Sequence, residues 1–177
     1  MSEARRPTFD EVLRSARVGS PRALGWLYRR FQPGLLRTLA VIAPHRADDV
    51  ASDVWLDVAG GLSRFTGDER EFRGWLAATA RHRVIDGSRR PGRRRERSMN
   101  GDPAVAAAFA AQVAGLLPPD QADVVVMRVV DGLDVDEVAR AMGRAPEAVR
   151  GIQHRALRRL ARELDPDVLP ASRGRGC

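Results

Sequence analysis

The chain has 177 residues, room for one sizeable domain or two small ones, and its composition fits two better. Its thirty basic residues are all arginine, giving a formal net charge of +7 that points to a polyanionic partner. A single, terminal cysteine, Cys177, excludes an intramolecular disulfide and a cysteine-based metal site, and no run approaches the roughly 18 apolar residues of a membrane span.

The N-terminus lacks the apolar core of a signal peptide, so the expectation is a cytoplasmic chain with no membrane insertion. The charge is concentrated: residues 73–97 hold nine arginines against two acids, whereas the flanking regions are nearly balanced. Helical periodicity covers most of residues 8–90 and strand alternation is not sustained, so the expected fold is all-α, with two small helical domains joined by a flexible linker.

In chain order, Thr8 with Glu11 forms a capping pattern for a first helix ending near Gly19. A second helix is expected over 21–42, broken by Pro44, and a third over 47–59, closed by Gly60 and Gly61. Within the third, Asp49, Asp53 and Asp57 stand four apart and form an acidic stripe, next to Asp48. Repulsion along such a stripe destabilises the helix unless a basic partner receives it. Val50, Val54 and Leu56 are available for packing, with Trp55 beside them.

A fourth helix is expected over 71–89. Phe72, Trp75, Leu76, Thr79 and Ala80 make its packing stripe; Arg73, Arg81, His82, Arg83, Arg89 and Arg90 make a cationic one suited to a nucleic-acid backbone. Trp26, Phe72 and Trp75 are expected in the core, while Trp55 and Phe65 are open to either packing or contact. Residues 91–103, rich in Arg, Gly, Ser and Asn and without an apolar stripe, read as the linker. Arg93, Arg94 and Arg95 within it read as a solvated charge run.

The second domain is expected over 104–164, with helices at 104–117 and 119–130, followed by a tail over 165–177. Its most informative stretch is 134–162, two helices joined at Gly143. Asp134 and Glu137 form a second capping pattern, Gly143 can take the left-handed turn, and Pro146 suits the first turn of the following helix. From Arg144 to Arg162 there are six arginines against Glu147 alone, whereas Asp120 to Glu137 carries six acids and only Arg128. Val149, Ala156, Leu160 and Leu164 share one face of the last helix; Arg150, His154 and Arg158 project from another. This is the pattern of a DNA-reading helix-turn-helix, whose second helix enters the major groove. His45, His82 and His154 lie on different elements without metal-ligand spacing, and no cofactor motif is present.

Three motifs in this order, ADDVASDVWL, FRGWLAATARHRVIDGSRR and LPPDQADVVVMRVVDGLDVDEVARAMGRAPEAVRGIQHRALRRL, resemble those of bacterial RNA polymerase sigma factors of the extracytoplasmic-function (ECF) type. The resemblance implies that Asp48, Asp49, Asp53, Trp55 and Leu56 bind core RNA polymerase, on the coiled coil of the beta-prime clamp. It implies that Phe65, Gly67 and Asp68, in a loop that captures a flipped base, serve minus-10 recognition together with Arg81, His82, Arg83, Arg89 and Arg90. It places Arg150, Gly151, His154, Arg155 and Arg158 on the minus-35 element. The implied partners are core polymerase (beta-prime clamp and beta flap), promoter DNA and an anti-sigma factor; no enzymatic activity is implied. Gly151, Ala148 and Ile152 depart from the family's usual Ser, Thr and basic residue, and Glu69 and Glu71 are unusual neighbours for a DNA strand. A stand-alone helix-turn-helix regulator with a sensing or dimerising N-terminal domain is the other reading. An enzyme built on the N-terminal helices finds no nucleophile and base, phosphate loop or metal cluster to support it.

Overall fold

A computed structural model of the chain describes residues 7–86 and 103–163. Among these residues there are eight α-helices, a single 3-10 turn and no strand. In order they are α1 (Phe9–Arg17), α2 (Pro21–Ile42), α3 (Ala47–Gly61), the turn Leu62–Arg64, α4 (Glu69–Asp86), α5 (Pro103–Leu116), α6 (Pro119–Val129), α7 (Val135–Met142) and α8 (Pro146–Glu163).

The two capping patterns form as expected. Thr8 accepts from the Glu11 amide while its own amide donates to the Glu11 carboxylate at 2.8 Å, and Asp134 and Glu137 make the same reciprocal pair. Ser20 caps α2, with Pro21 in the first turn where its missing N–H costs nothing.

Two helix boundaries differ from the sequence reading for local reasons. Gly60 and Gly61 do not close α3 but belong to it. A Cβ at Gly61 would lie 2.8 Å from the Trp75 ring, so this glycine serves close packing of α3 on α4 and not chain reversal. Helix α4 starts at Glu69, two residues early, because Asp68 and Glu71 form a third capping box: each backbone amide donates to the other's carboxylate at 2.8 Å. The expected end of this helix, with Arg89 and Arg90, residues 91–102 of the expected 91–103 linker, Leu164 and the tail lie outside the described residues, and Pro103, the last residue of that linker, instead opens α5.

In the first module, Leu27, Phe31, Leu35 and Leu39 of α2 pack on Val50, Val54 and Val58 of α3 and on Phe72, Leu76 and Ala80 of α4. Phe72 is central to an aromatic group, with Phe31, Phe65, Phe9 and Trp75 at centroid distances from 5.0 to 5.9 Å. The helix-turn-helix has its own small core of Val124, Val135, Val138, Ala139, Val149 and Ile152. Between its helices Gly143 adopts φ 62°, a left-handed conformation that closes α7.

The modules do not stand apart. A single apolar cluster runs from Leu24, Val54 and Trp55 through to Phe109, Val129, Leu157 and Leu160, so α2 and α3 of the first module pack directly on α6 and α8 of the second. Burial of this kind, at roughly 25 cal/mol per Å² of apolar surface, is the main force holding such a seam.

Candidate nucleic-acid interface

Helix α8 has two working faces. Val149 and Ile152 are buried in the small helix-turn-helix core, whereas Ala156 and Leu160 are buried in the apolar cluster shared with the first module. A second face is turned toward the first module: His154 Nδ1 lies 3.3 Å from Ser52 Oγ of α3, and Leu157 and Ala161 lie beside Tyr28 and Trp55. Arg155 and Arg158 are exposed, whereas Arg150, Gly151 and His154 are half-buried. The five residues expected to read DNA therefore divide between open solvent and the seam.

The acidic stripe of α3 divides similarly. Asp48 and Asp49 are exposed near the start of the helix. Asp53 accepts from Arg128 Nη2 at 2.9 Å and from the Gln153 amide at 3.0 Å, both on the other module. Asp57 is paired with Arg83 of α4 by two side-chain hydrogen bonds. Basic partners thus receive the stripe from two sides, which removes the repulsion its spacing implied. Burial pushes the Asp53 carboxyl up, but Arg128, Arg83, the Gln153 hydrogen bond and Arg150 outweigh it and leave the group below its ordinary value. Trp55 and Leu56 are fully inside, Trp55 donating to Gln32 at 2.6 Å.

Arg128 was visible in the sequence only as a lone base in an acidic stretch. Its side chain is 2% exposed and donates to Gln153 at 3.2 Å, the Leu133 carbonyl at 2.8 Å and Asp53. The signal was a solitary charge inside the apolar run from Val124 to Val130, where an arginine needs partners on every side.

The loop before α4 is rigidly built. Phe65 stacks on Trp75 at 5.0 Å and 11°, and its carbonyl accepts from Arg17 at 2.7 Å. A Cβ at Gly67 would come within 2.7 Å of both Phe65 and Glu71 side chains, so only glycine fits there. Asp68 is occupied as the α4 cap. The two glutamates that look foreign to a DNA surface have structural partners: Glu71 completes that cap, and Glu69 sits between Arg30 at 2.8 Å and Arg73 at 2.7 Å. The Arg73 hydrogen bond, with Arg30, holds the Glu69 carboxyl below its usual range. On α4 Arg81 and His82 are exposed, whereas Arg83 is committed to Asp57 and departs from the free cationic stripe expected of it. An open groove of about 290 Å³ between α2 and α4 is lined by Arg30, Arg37 and Arg73 among apolar residues. Among the described residues, no three His, Cys, Asp or Glu side chains are placed to hold a metal ion, and no helix is long and apolar enough to cross a membrane.

Comparison with known families adds to this geometry. The family model for sigma-70 region 2 matches residues 22–95, and that for sigma-70 region 4 matches residues 112–160. The chain is 30% identical to the ECF RNA polymerase sigma factor BldN of Streptomyces coelicolor, over 93% of this chain and 71% of that protein. It is 38% identical to SigD of Mycobacterium tuberculosis, over 67% of this chain and 63% of SigD, and 32% identical to ShbA of Streptomyces griseus, over 74% and 78%. Among solved structures, BldN in its complex with RsbN is 29% identical, with a TM-score of 0.39 over 85% of this chain and 98% of that one.

Proposed function

This chain belongs to the ECF RNA polymerase sigma factors, and from that premise we propose how its surfaces divide the work of transcription initiation. Helix α3, through Asp48, Asp49 and Asp53 with Trp55 and Leu56 behind them, engages the beta-prime clamp of core polymerase. The Phe65 to Asp68 loop and the cationic side of α4, Arg81 and His82 with Arg89 and Arg90 that follow in the chain, engage the minus-10 element and help open it, while Arg83, held by Asp57, braces α4 on α3. The cationic face of α8, Arg150, Gly151, His154, Arg155 and Arg158, reads the minus-35 element, and the surrounding module meets the beta flap. BldN has been solved in complex with RsbN, and we extend to this chain an inhibitor of the anti-sigma kind as a partner.

The observation that carries this reading is the helix-turn-helix itself: a capped α7, a left-handed Gly143 and an α8 whose outward charges are almost all arginine. Arginine forks pair bidentately with guanine or phosphate oxygens. No bond is made or broken; binding energy opens the duplex. Flipping or unstacking a base costs a few kcal/mol, which phosphate contacts and a base pocket offset. Two weak contacts tethered on one polymerase gain avidity without further surface. A stand-alone helix-turn-helix regulator, the other reading, leaves the region 2 match unexplained.

Run-off transcription with core polymerase on genomic fragments tests the proposal. The expected result is discrete transcripts that require this protein, and core polymerase that initiates identically with and without it overturns the reading. Arg150→Ala then separates roles on α8: a loss of about 1–3 kcal/mol confined to particular minus-35 bases marks a base contact, and a uniform loss marks a phosphate contact.

A further inference from the structure

Arg30, Phe31, Gly34 and Arg37 fall at helical spacing on α2 and so share one face, as do Arg73 and Leu76 on α4. Where the two faces meet they form the open groove of about 290 Å³, at the lower end of the size range of small-molecule sites. We propose that this groove is a binding site for a nucleoside polyphosphate, its phosphates held by the arginines and its base laid on the apolar floor. The inference stands on this surface alone and does not depend on the division of promoter contacts made above.

Three features of the groove support it. First, its arginines converge. A single carboxylate oxygen, Glu69 Oε1, accepts from Arg30 at 2.8 Å and from Arg73 at 2.7 Å, so both guanidiniums already reach one oxyanion position. These pairs are partly exposed and therefore worth little, and a phosphate, with more charge and more acceptor oxygens, displaces the carboxylate readily. Second, positive charge is in excess. Arg37 has no carboxylate partner among the described residues, and its guanidinium folds back over Gly34, where an added Cβ would stand 3.7 Å from Nη2. No acidic side chain lines the groove, so three arginines are set against Glu69 alone, an excess of two positive charges.

Third, the floor is apolar and rigid. Phe31, Leu35 and Leu76 line it although each is at most 6% exposed, so the floor is the outer surface of the core itself. Arg30 and Arg73 lie over the Phe31 ring, at 5.8 and 5.5 Å from its centroid, which keeps both cations against that surface. The complement of such a groove is a ligand with clustered phosphates on a flat, weakly polar body. Inorganic phosphate would use the charge and leave the floor wet. A nucleic-acid strand offers its phosphates singly, one to each nucleotide, whereas guanidiniums that share one oxygen suit phosphates joined to each other.

The test is isothermal titration calorimetry of the full chain with ADP and with GDP, in buffer free of divalent cations, with inorganic pyrophosphate as the probe of charge alone. Saturable binding of one nucleotide per chain is expected, with pyrophosphate about 10-fold weaker for want of a base. Arg37→Ala is expected to weaken ADP binding about 10-fold, because a charge-assisted hydrogen bond is lost. Glu69→Gln is expected to strengthen it about 5-fold by releasing Arg30 and Arg73, a gain that no loss of folding can mimic. Arg22→Ala, at an exposed position near the start of α2, controls for diffuse attraction and is expected to change the affinity by less than about 2-fold. Absence of saturable binding for both nucleotides overturns the site, as does equal affinity for pyrophosphate and ADP, or an equal loss in Arg22→Ala and Arg37→Ala. A short single strand of DNA that binds through Arg37 where neither nucleotide binds gives the groove to promoter DNA and likewise overturns it. None of these outcomes touches the family assignment.

Discussion

Arg128 and Asp53 meet at 2.9 Å although 75 residues separate them in the chain, one on the helix before the helix-turn-helix and the other in the middle of the acidic stripe. The guanidinium also holds Gln153 and the Leu133 carbonyl, so it ties α6, α8 and the loop before α7 to α3. Removing one member of a buried pair leaves an uncompensated charge, at a cost of about 3–5 kcal/mol. Arg128→Ala is expected to lower unfolding stability by that amount in urea titration. The double change Arg128→Met with Asp53→Leu is expected to cost markedly less, because no orphaned charge remains.

The same pair gives stability an acid limb. The Asp53 carboxyl lies below its ordinary value when folded, held there by Arg128, Arg83, Gln153 and Arg150 against the opposing effect of burial. A depressed carboxylate contributes stability that is present above its unfolded value, about 4, and lost as pH falls through the lower folded value. Thermal unfolding from pH 7 down to pH 3 should therefore show the gap between the native chain and Asp53→Asn closing below about pH 4.

Gly143 offers a cleaner measurement. Its φ is 62° and a Cβ there would meet nothing within 4 Å, so substitution is penalised by backbone conformation alone. Gly143→Ala should cost about 1–2 kcal/mol of stability, and Gly143→Asn less, since asparagine visits the left-handed region more readily.

At Gly67 the constraint is space. A methyl group would collide with Phe65 and Glu71 and push the stacked Phe65 off Trp75. If this loop opens the minus-10 element, Gly67→Ala should leave core binding unchanged and reduce promoter opening, read by permanganate reactivity of unpaired thymines. Opening that matches the native protein would remove the loop from that role.

Glu69 restrains two arginines on the surface of the first module. Its pairs with Arg30 and Arg73 are partly exposed, so Glu69→Gln should change stability by less than about 1 kcal/mol. Released for phosphate, either arginine should steepen the salt dependence of non-specific DNA binding by about one unit of log–log slope. An unchanged slope in a salt titration would show that neither side chain reaches the nucleic acid.

What could be read from the sequence was local. Thr8 with Glu11, Asp134 with Glu137, and Gly143 are interactions completed within four residues, and each forms as its spacing predicts. The packing stripe of α4 and the buried face of α8 follow from helical periodicity for the same reason. The seam was not legible, because nothing in periodicity says which amphipathic helix covers which. Trp55 could be assigned to neither core nor contact until Tyr28, 5.3 Å away, and the Gln32 hydrogen bond were seen to enclose it. Arg83 looked like one more member of a cationic row, and its commitment to Asp57 depends on how α4 lies across α3, a tertiary relation.

The proximity of His154 to Ser52 has an evolutionary corollary. If one surface of α8 must fit both promoter DNA and its own chain, a substitution that retunes the promoters addressed also alters how α8 packs on α3. Divergence in target choice would then be accompanied by compensating changes near the middle of α3, and paralogues with new regulons should differ at both places together.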